Sequence, residues 1–97
     1  MLGDLLETQN DLDEAELWYK QSADAGYSLA NVGMGDVLSK RNELDEAEHW
    51  YRRGAEADNA LAMRRLADLL RRRGKTREAA RWSRRANKAG ISGDAAG

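Results

Sequence analysis

The chain contains no cysteine and no proline, and histidine occurs once among its 97 residues. Without cysteine there is neither a disulfide nor a thiolate nucleophile, as is usual in a reducing compartment. One histidine is too few for the His and Cys ligand sets that bind zinc. Without proline, no position loses the backbone donor that an α-helix uses. We therefore expect uninterrupted helices and neither a metal site nor a cofactor.

Long apolar segments are also missing. No apolar run approaches the roughly 20 residues that a membrane-spanning helix needs. Residues 1–7 lack the basic start and the long apolar core of a signal peptide. We therefore expect a cytoplasmic protein without membrane contact.

Large aliphatic residues are scarce, since Leu, Ile, Val and Phe together contribute 15 residues, a fraction typical of disordered chains. Three features oppose disorder: the net charge is only −1, the apolar residues are regularly spaced, and 16 alanines allow close helix packing. Ala, Leu, Glu, Arg and Lys dominate the composition and favour helices. The composition predicts an all-α protein.

The small net charge hides a strong asymmetry. Residues 1–48 carry 12 acidic and 3 basic side chains, whereas residues 49–97 carry 13 basic and 5 acidic ones. The sequence therefore predicts an electrostatic dipole with an acidic front half and a basic rear half.

Eight residues recur 32 positions apart. Residues 12–19 read LDEAELWY, residues 44–51 read LDEAEHWY, and a degenerate third copy at 76–83 reads TREAARWS. All three tryptophans occupy one position of this repeat. A fixed period of this length predicts a solenoid of stacked units. The regular placement of the tryptophans favours packing between units over stacking on a ligand.

Residues that tolerate a positive φ also recur with this period. Asn10, Asn42 and Gly74 lie 32 apart, and each residue type is suited to the left-handed conformation that ends helices. They predict the same turn three times, between six helices over residues 2–9, 12–25, 28–41, 44–57, 60–73 and 76–89.

Further helix ends are predicted at Gly26 and Gly90, and we expect Asn59 to take over the turn that Asp58 occupies in the second copy. The repeats then cover residues 1–26, 27–58 and 59–91 of a single domain, with the first unit truncated and a flexible tail over 92–97. Neither end shows the polar capping helix that repeat arrays usually have. We interpret the chain as a fragment of a longer array.

These patterns together resemble the tetratricopeptide repeat, whose first helix carries a Leu-Gly pair and a later large residue and whose second helix carries Ala-x-x-x-aromatic. The first pattern occurs at residues 2–6 and 34–38, and with alanine for glycine at 66–70; the second occurs at residues 15–19 and 47–51. The Trp-Tyr pair and the glycine eight residues after Trp18 are closer to the Sel1-like subfamily. The period of 32 and the missing closing proline depart from the family pattern. The resemblance implies an α-solenoid of antiparallel helix pairs, about three repeats long, that binds proteins without catalysis.

The resemblance also implies that the first helix of each pair lines a concave groove for a peptide or protein segment. The implied partner-binding residues are acidic or apolar at the front and mainly basic at the rear: Asp4, Glu7, Leu29, Val32, Asp36, Ser39, Lys40, Leu61, Arg64, Asp68, Arg71 and Arg72. Within this set, we expect Arg64 and Arg71 to bind a peptide carboxylate, since arginine can do so bidentately.

Two alternatives follow from charge. The acidic front and the basic rear would attract each other between copies, which favours head-to-tail self-association. A basic patch along the last helix would contact nucleic-acid phosphates, but only one aromatic lies nearby and the acidic half would repel phosphate. The patch comprises Arg77, Arg81, Arg84, Arg85 and Lys88, with further arginines at 64, 65, 71, 72 and 73.

Catalysis is not predicted. The paired acids at 13–14 and 45–46 are the best candidates for a carboxylate site. Both pairs fall in the first turn of a predicted helix, where acids complement the positive end of the helix dipole.

Overall fold

In a computed structural model, residues 2–96 form five helices and no strand. The structure describes the backbone of residues 2–96 and the side chains of residues 13–89. The helices are α1 (Leu2–Asp24), α2 (Ser28–Lys40), α3 (Leu44–Glu56), α4 (Ala60–Arg72) and α5 (Thr76–Ala96). The predicted all-α class is confirmed.

Successive helices are joined by three-residue turns of one kind, and the middle residue of each turn has a positive φ. These residues are Gly26 (φ 101°), Asn42 (φ 61°), Asp58 (φ 64°) and Gly74 (φ 81°). The next residue donates its N–H to the carbonyl five positions earlier, as from Lys75 to Leu70 at 2.8 Å. This is the Schellman arrangement that ends helices. Because the turns are so short, neighbouring helices run antiparallel.

Two predicted helix ends are wrong. α1 continues through Asn10, and α5 continues through Gly90 to Ala96. Asparagine permits a left-handed conformation without requiring it, and in a helix it costs less than about 1 kcal/mol relative to alanine. A glycine costs about 1 kcal/mol, which a helix also tolerates. The predicted flexibility of residues 92–97 stays a prediction, because their side chains lie outside the described part of the chain.

The turn after α3 also differs from the prediction. Asp58 itself takes the left-handed conformation, and Asn59 has an extended backbone with φ −80° and ψ 114°. The Asn59 side chain accepts a hydrogen bond of 2.9 Å from the Ala62 backbone N–H. It therefore caps α4, because a side-chain acceptor at this position satisfies a free N–H of the first turn.

The helices stack in the order of the chain. Each packs against its sequence neighbours, and α2 also contacts α4. The largest fully buried side chains among residues 13–89 are Leu38, Met63, Leu66 and Leu70, and buried alanines such as Ala47 and Ala62 let the helices approach closely. This arrangement confirms the predicted solenoid.

The tryptophans do not share one environment. Trp50 is 9% exposed and Trp82 is partly buried against the core, but Trp18 is 62% exposed. The predicted packing role is therefore wrong for the first copy. The reason is that residues 2–9, which were expected to fold back as a separate helix, extend α1 instead.

Candidate interaction groove

A cavity of about 450 Å³ opens between α2 and α4. Tyr51 from α3 and Leu69 from α4 are almost fully buried and form its base. The remaining lining is polar or charged and comes from Asp36, Ser39, Lys40, Arg65, Asp68 and Arg72.

Tyr51 reaches the cavity because the residue beside its ring has no side chain. A Cβ atom at Gly35 would overlap the Tyr51 ring, so this glycine lets α3 and α2 lie close together. The Tyr51 hydroxyl donates a hydrogen bond to the Asp36 carboxylate and lies 3.4 Å from Ser39 Oγ. Burial, together with the hydrogen bond to Asp36, raises the pKa of Tyr51 to about 12. The hydroxyl therefore keeps its proton, and remains a donor, to a more alkaline pH than an ordinary tyrosine.

The charged side chains of the cavity fall into paired and unpaired groups. Arg65 Nε lies 3.4 Å from Asp36 Oδ1, and Arg71 Nη1, just outside the lining, lies 3.0 Å from Asp68 Oδ1. Lys40 and Arg72 form no ion pair with any residue from 13 to 89. The cavity thus has two cations whose charge is not neutralised locally.

Ion pairs between successive units repeat with the same period as the sequence. Arg41, at the end of α2, pairs with Asp13 and Glu16 of α1. Thirty-two residues later, Arg73 pairs with Asp45 and with Glu48, the latter at 2.9 Å. The acids of the repeated stretch therefore hold the following helix. Asp45 also lies in the first turn of its own helix, α3, as predicted, whereas Asp13 and Glu16 lie within the continuous α1 and do not start a helix.

Glu48 is the most enclosed of these acids, with a side chain that is 14% exposed. Burial by itself would raise the pKa of Glu48, but hydrogen bonds and charge from Arg52 and Lys75 outweigh burial and lower it. In the third copy, positions 77 and 80 are Arg and Ala, so the series has no further acids.

Comparison with known families finds a match, which covers the first quarter of the chain. Residues 1–25 match the tetratricopeptide repeat family. This match supports a tetratricopeptide repeat at residues 1–25, although the structure has one continuous helix there in place of a helix pair. Such repeats generally serve as protein–protein interaction modules and are not catalytic. No curated protein matches the chain.

The structure brings together five of the residues that the tetratricopeptide resemblance implied for the groove: Asp36, Ser39, Lys40, Asp68 and Arg72 line the cavity. The other implied residues whose side chains are described lie outside the cavity lining. Val32 is buried, and Leu29 and Leu61 are exposed in the first turns of α2 and α4. The side chains of Asp4 and Glu7 are outside the described range.

The expected carboxylate-binding pair is not at this cavity. Arg71 is held by Asp68 and by Ser83 Oγ, and Arg64 is exposed outside the lining. Arg65 and Leu69 were not among the predicted groove residues, although 65, 68, 69 and 72 have the spacing of one helix face. Tyr51 was not among them either, because the repeated Trp-Tyr pair was interpreted as scaffold alone.

The predicted basic patch is partly neutralised. Arg85 pairs with Asp58 at 3.3 Å and lies over the Trp82 ring, 5.0 Å from its centroid. Arg77, Arg81 and Arg84 are exposed and have no ion pair within residues 13–89. Contact with nucleic acid through this patch stays a prediction.

Residues 13–89 show neither a metal site nor a membrane-spanning helix. No group of three or more His, Cys, Asp or Glu side chains there is arranged to hold a metal ion. No helix of that part is both long enough and apolar enough to cross a membrane.

Proposed function

We propose that the cavity between α2 and α4 binds a peptide segment of a partner protein through an acidic group of the peptide. The observation that carries the proposal is the unpaired charge of Lys40 and Arg72 at a cavity whose base is buried. A carboxylate is the natural ligand for such a pair, because charge-assisted hydrogen bonds to arginine are short and strong. The buried base strengthens the attraction relative to an open surface, where water screens charges more effectively.

The same two helices supply an apolar anchor. Leu29 and Leu61 are 62% and 40% exposed, and each lies eleven residues before one of the two cations. Eleven residues are close to three helical turns, so each leucine lies on the same side of its helix as the cation, about 16 Å away. An extended peptide spans that distance with about five residues. The preferred ligand therefore has an apolar side chain about five residues from a carboxylate.

Fluorescence anisotropy with labelled synthetic peptides tests this proposal. The peptides have a leucine at the amino end and a free terminal carboxylate, separated by alanine and serine spacers of several lengths. We expect the strongest binding at a separation of about five residues. The same peptide with an amidated carboxyl end should bind at least tenfold more weakly.

Two double variants distinguish binding at the cavity from attraction of the peptide by positive charge elsewhere on the chain. Lys40→Ala combined with Arg72→Ala should weaken binding at least tenfold, which corresponds to about 1.4 kcal/mol. Arg81→Ala combined with Arg84→Ala removes the same charge outside the cavity and should leave binding nearly unchanged. Equal losses in both double variants, or equal binding of acid and amide, would contradict the proposal.

A further inference from the structure

A second surface of the molecule is apolar and exposed. Trp18, Tyr27 and Leu29 are 62%, 69% and 62% exposed. With Tyr19, Ser22 and Ala30 they line a depression of about 430 Å³ without a charged side chain, which we call the N-terminal apolar surface. Except for Leu29, these residues lie outside the proposed peptide site, and none of them lines its cavity. Contiguous apolar surfaces of this kind mark interaction sites.

The later copies show what covers the equivalent surface. Trp50 and Trp82 occupy the position of Trp18, and each lies on a helix preceded by a partner helix, α2 or α4. Trp82 is partly buried against the core although α5 is the last helix of the structure. Most of the cover at this position therefore comes from the preceding helix. In the first copy, the preceding residues are 2–9.

Residues 2–9 have the sequence of a covering helix. Residues 2–6 read LGDLL, and the equivalent residues of α2, 34–38, read MGDVL. In α2, Gly35 makes room for the Tyr51 ring and Asp36 accepts its hydroxyl. In the sequence, Gly3 and Asp4 precede Tyr19 by the same numbers of residues as Gly35 and Asp36 precede Tyr51.

Because α1 is one continuous helix, residues 2–9 extend away from the N-terminal apolar surface of their own chain. At 1.5 Å per residue, residues 2–9 lie about 14 to 24 Å from Trp18 along the helix axis. Yet residues 1–25 match a family whose unit is a helix pair. A covering helix with the right sequence is thus present but displaced.

We propose that two copies of the chain exchange residues 2–9, so that this helix of each copy covers the N-terminal apolar surface of the other. Exchange of an identical element is a low-cost route to a closed dimer. The three exposed side chains present on the order of 400 Å². Covering that area with an equal area of helix, twice over, removes about 1,600 Å² from water, the standard size of a stable interface.

The charges around the N-terminal apolar surface favour residues 2–9 of a second copy over head-to-tail stacking of two chains. Arg53 lies over Trp50 and Arg85 over Trp82, whereas the first copy has the uncharged Gln21 at that position. A head-to-tail contact would also have to continue the ion pairs between units. The chain offers Gln9 in place of the arginine, and Arg77 and Ala80 in place of the acids.

Thiol-specific crosslinking between two single-cysteine variants tests the exchange, since the natural chain has no cysteine. Asp4→Cys and Tyr19→Cys chains are mixed, unfolded in urea, refolded together and treated with a short bismaleimide. Mass spectrometry should find a crosslinked heterodimer in at least fivefold excess over a mixture of Asp4→Cys and Lys20→Cys. Lys20 adjoins Tyr19 but is exposed on α1, so it reports chance collisions. No excess over this control would overturn the proposal.

Two further measurements test whether residues 2–9 are exchanged between copies. A crosslink formed only within single chains of the Asp4→Cys, Tyr19→Cys double variant would show that each helix covers its own surface. Sedimentation of the natural chain should reach the mass of a dimer and no more as concentration rises. A monomer at every concentration, or growth beyond the dimer, would overturn the exchange. The exchange would cover Leu29 and leave Leu61 as the apolar anchor of the peptide site, but it does not involve Lys40 or Arg72. The binding of an acidic group at the cavity and the exchange therefore fail separately.

Discussion

Gly35 and Gly33 form a natural pair for testing how α2 is packed. Both lie in the interior of α2, and a Cβ atom at either position would overlap a tyrosine ring of a neighbouring helix. The rings differ in freedom. Tyr51, beside Gly35, is 3% exposed, whereas Tyr19, beside Gly33, is only partly buried. Gly35→Ala should therefore destabilise the protein more than Gly33→Ala.

The size of the difference follows from three contributions. Both substitutions gain about 1 kcal/mol, because alanine is the better residue in a helix interior. At Gly35 the overlap must be relieved inside the core, which costs about 1 to 3 kcal/mol. Moving the ring also disturbs the Tyr51–Asp36 hydrogen bond, worth about 1 kcal/mol. At Gly33 the ring can turn toward solvent, so most of the helix gain remains. Because the helix gain is common to both variants, we expect Gly35→Ala to be less stable than Gly33→Ala by about 2 to 4 kcal/mol.

Urea unfolding followed by circular dichroism at 222 nm measures both variants, at a concentration low enough to keep the chain monomeric. The slope of the free energy against urea should not change, so that the midpoints can be compared directly. If Gly35→Ala is as stable as Gly33→Ala or more stable, the close contact between Tyr51 and α2 does not govern packing here.

Three further predictions concern single side chains. The pKa of Tyr51 is raised from 10 to about 12. The stability linked to its neutral hydroxyl is therefore complete below pH 10 and is lost between about pH 10 and 12. In Tyr51→Phe, the free energy of unfolding should fall less over this pH range than in the natural chain. Because the pKa of Glu48 is lowered, its contribution is present above the ordinary glutamate pKa and disappears as pH falls through the lowered value. Glu48→Gln should lower the free energy of unfolding by about 1 kcal/mol at neutral pH. Glu46→Gln, at an exposed position, should lower it little. Equal losses of stability in the two variants would contradict the role of the ion pairs. Trp50→Ala should lower the free energy of unfolding by about 3 to 5 kcal/mol. In the monomer, Trp18→Ala should lower it by less than half as much. The reverse order in thermal or urea unfolding would refute the assigned burial.

The sequence predicted the helices well where a repeated turn was supported on both sides. Asn42 and Gly74 form the predicted turns because their flanking helices pack on one another. Asn10 has the same residue type as Asn42 but remains helical. A residue that permits a turn does not determine one; packing of the two helices decides, and local pattern alone does not report that packing.

The candidate site was predicted less completely, for a related reason. Helical spacing places Asp36 and Lys40 on one face of α2, and Asp68 and Arg72 on one face of α4. It does not show that Tyr51 reaches the base of the cavity from α3. Whether an arginine is free to bind a ligand also depends on the side chains that the fold brings next to it. Arg71 and Arg72 are adjacent in sequence, yet the Asp68 carboxylate occupies only Arg71. Sequence spacing cannot distinguish an occupied arginine from an available one.

The two proposals are linked through the repeat. The cavity is assembled from equivalent positions of two copies, since Asp36 and Lys40 of α2 correspond to Asp68 and Arg72 of α4. In the exchanged dimer, a helix of residues 2–9 would lie beside α2 and bring a third set of these positions. That set contains an aspartate at position 4 but threonine at position 8, where the later copies have a base. The exchange would therefore lengthen the groove without adding a cation, and the preference for one acidic group would still rest on Lys40 and Arg72.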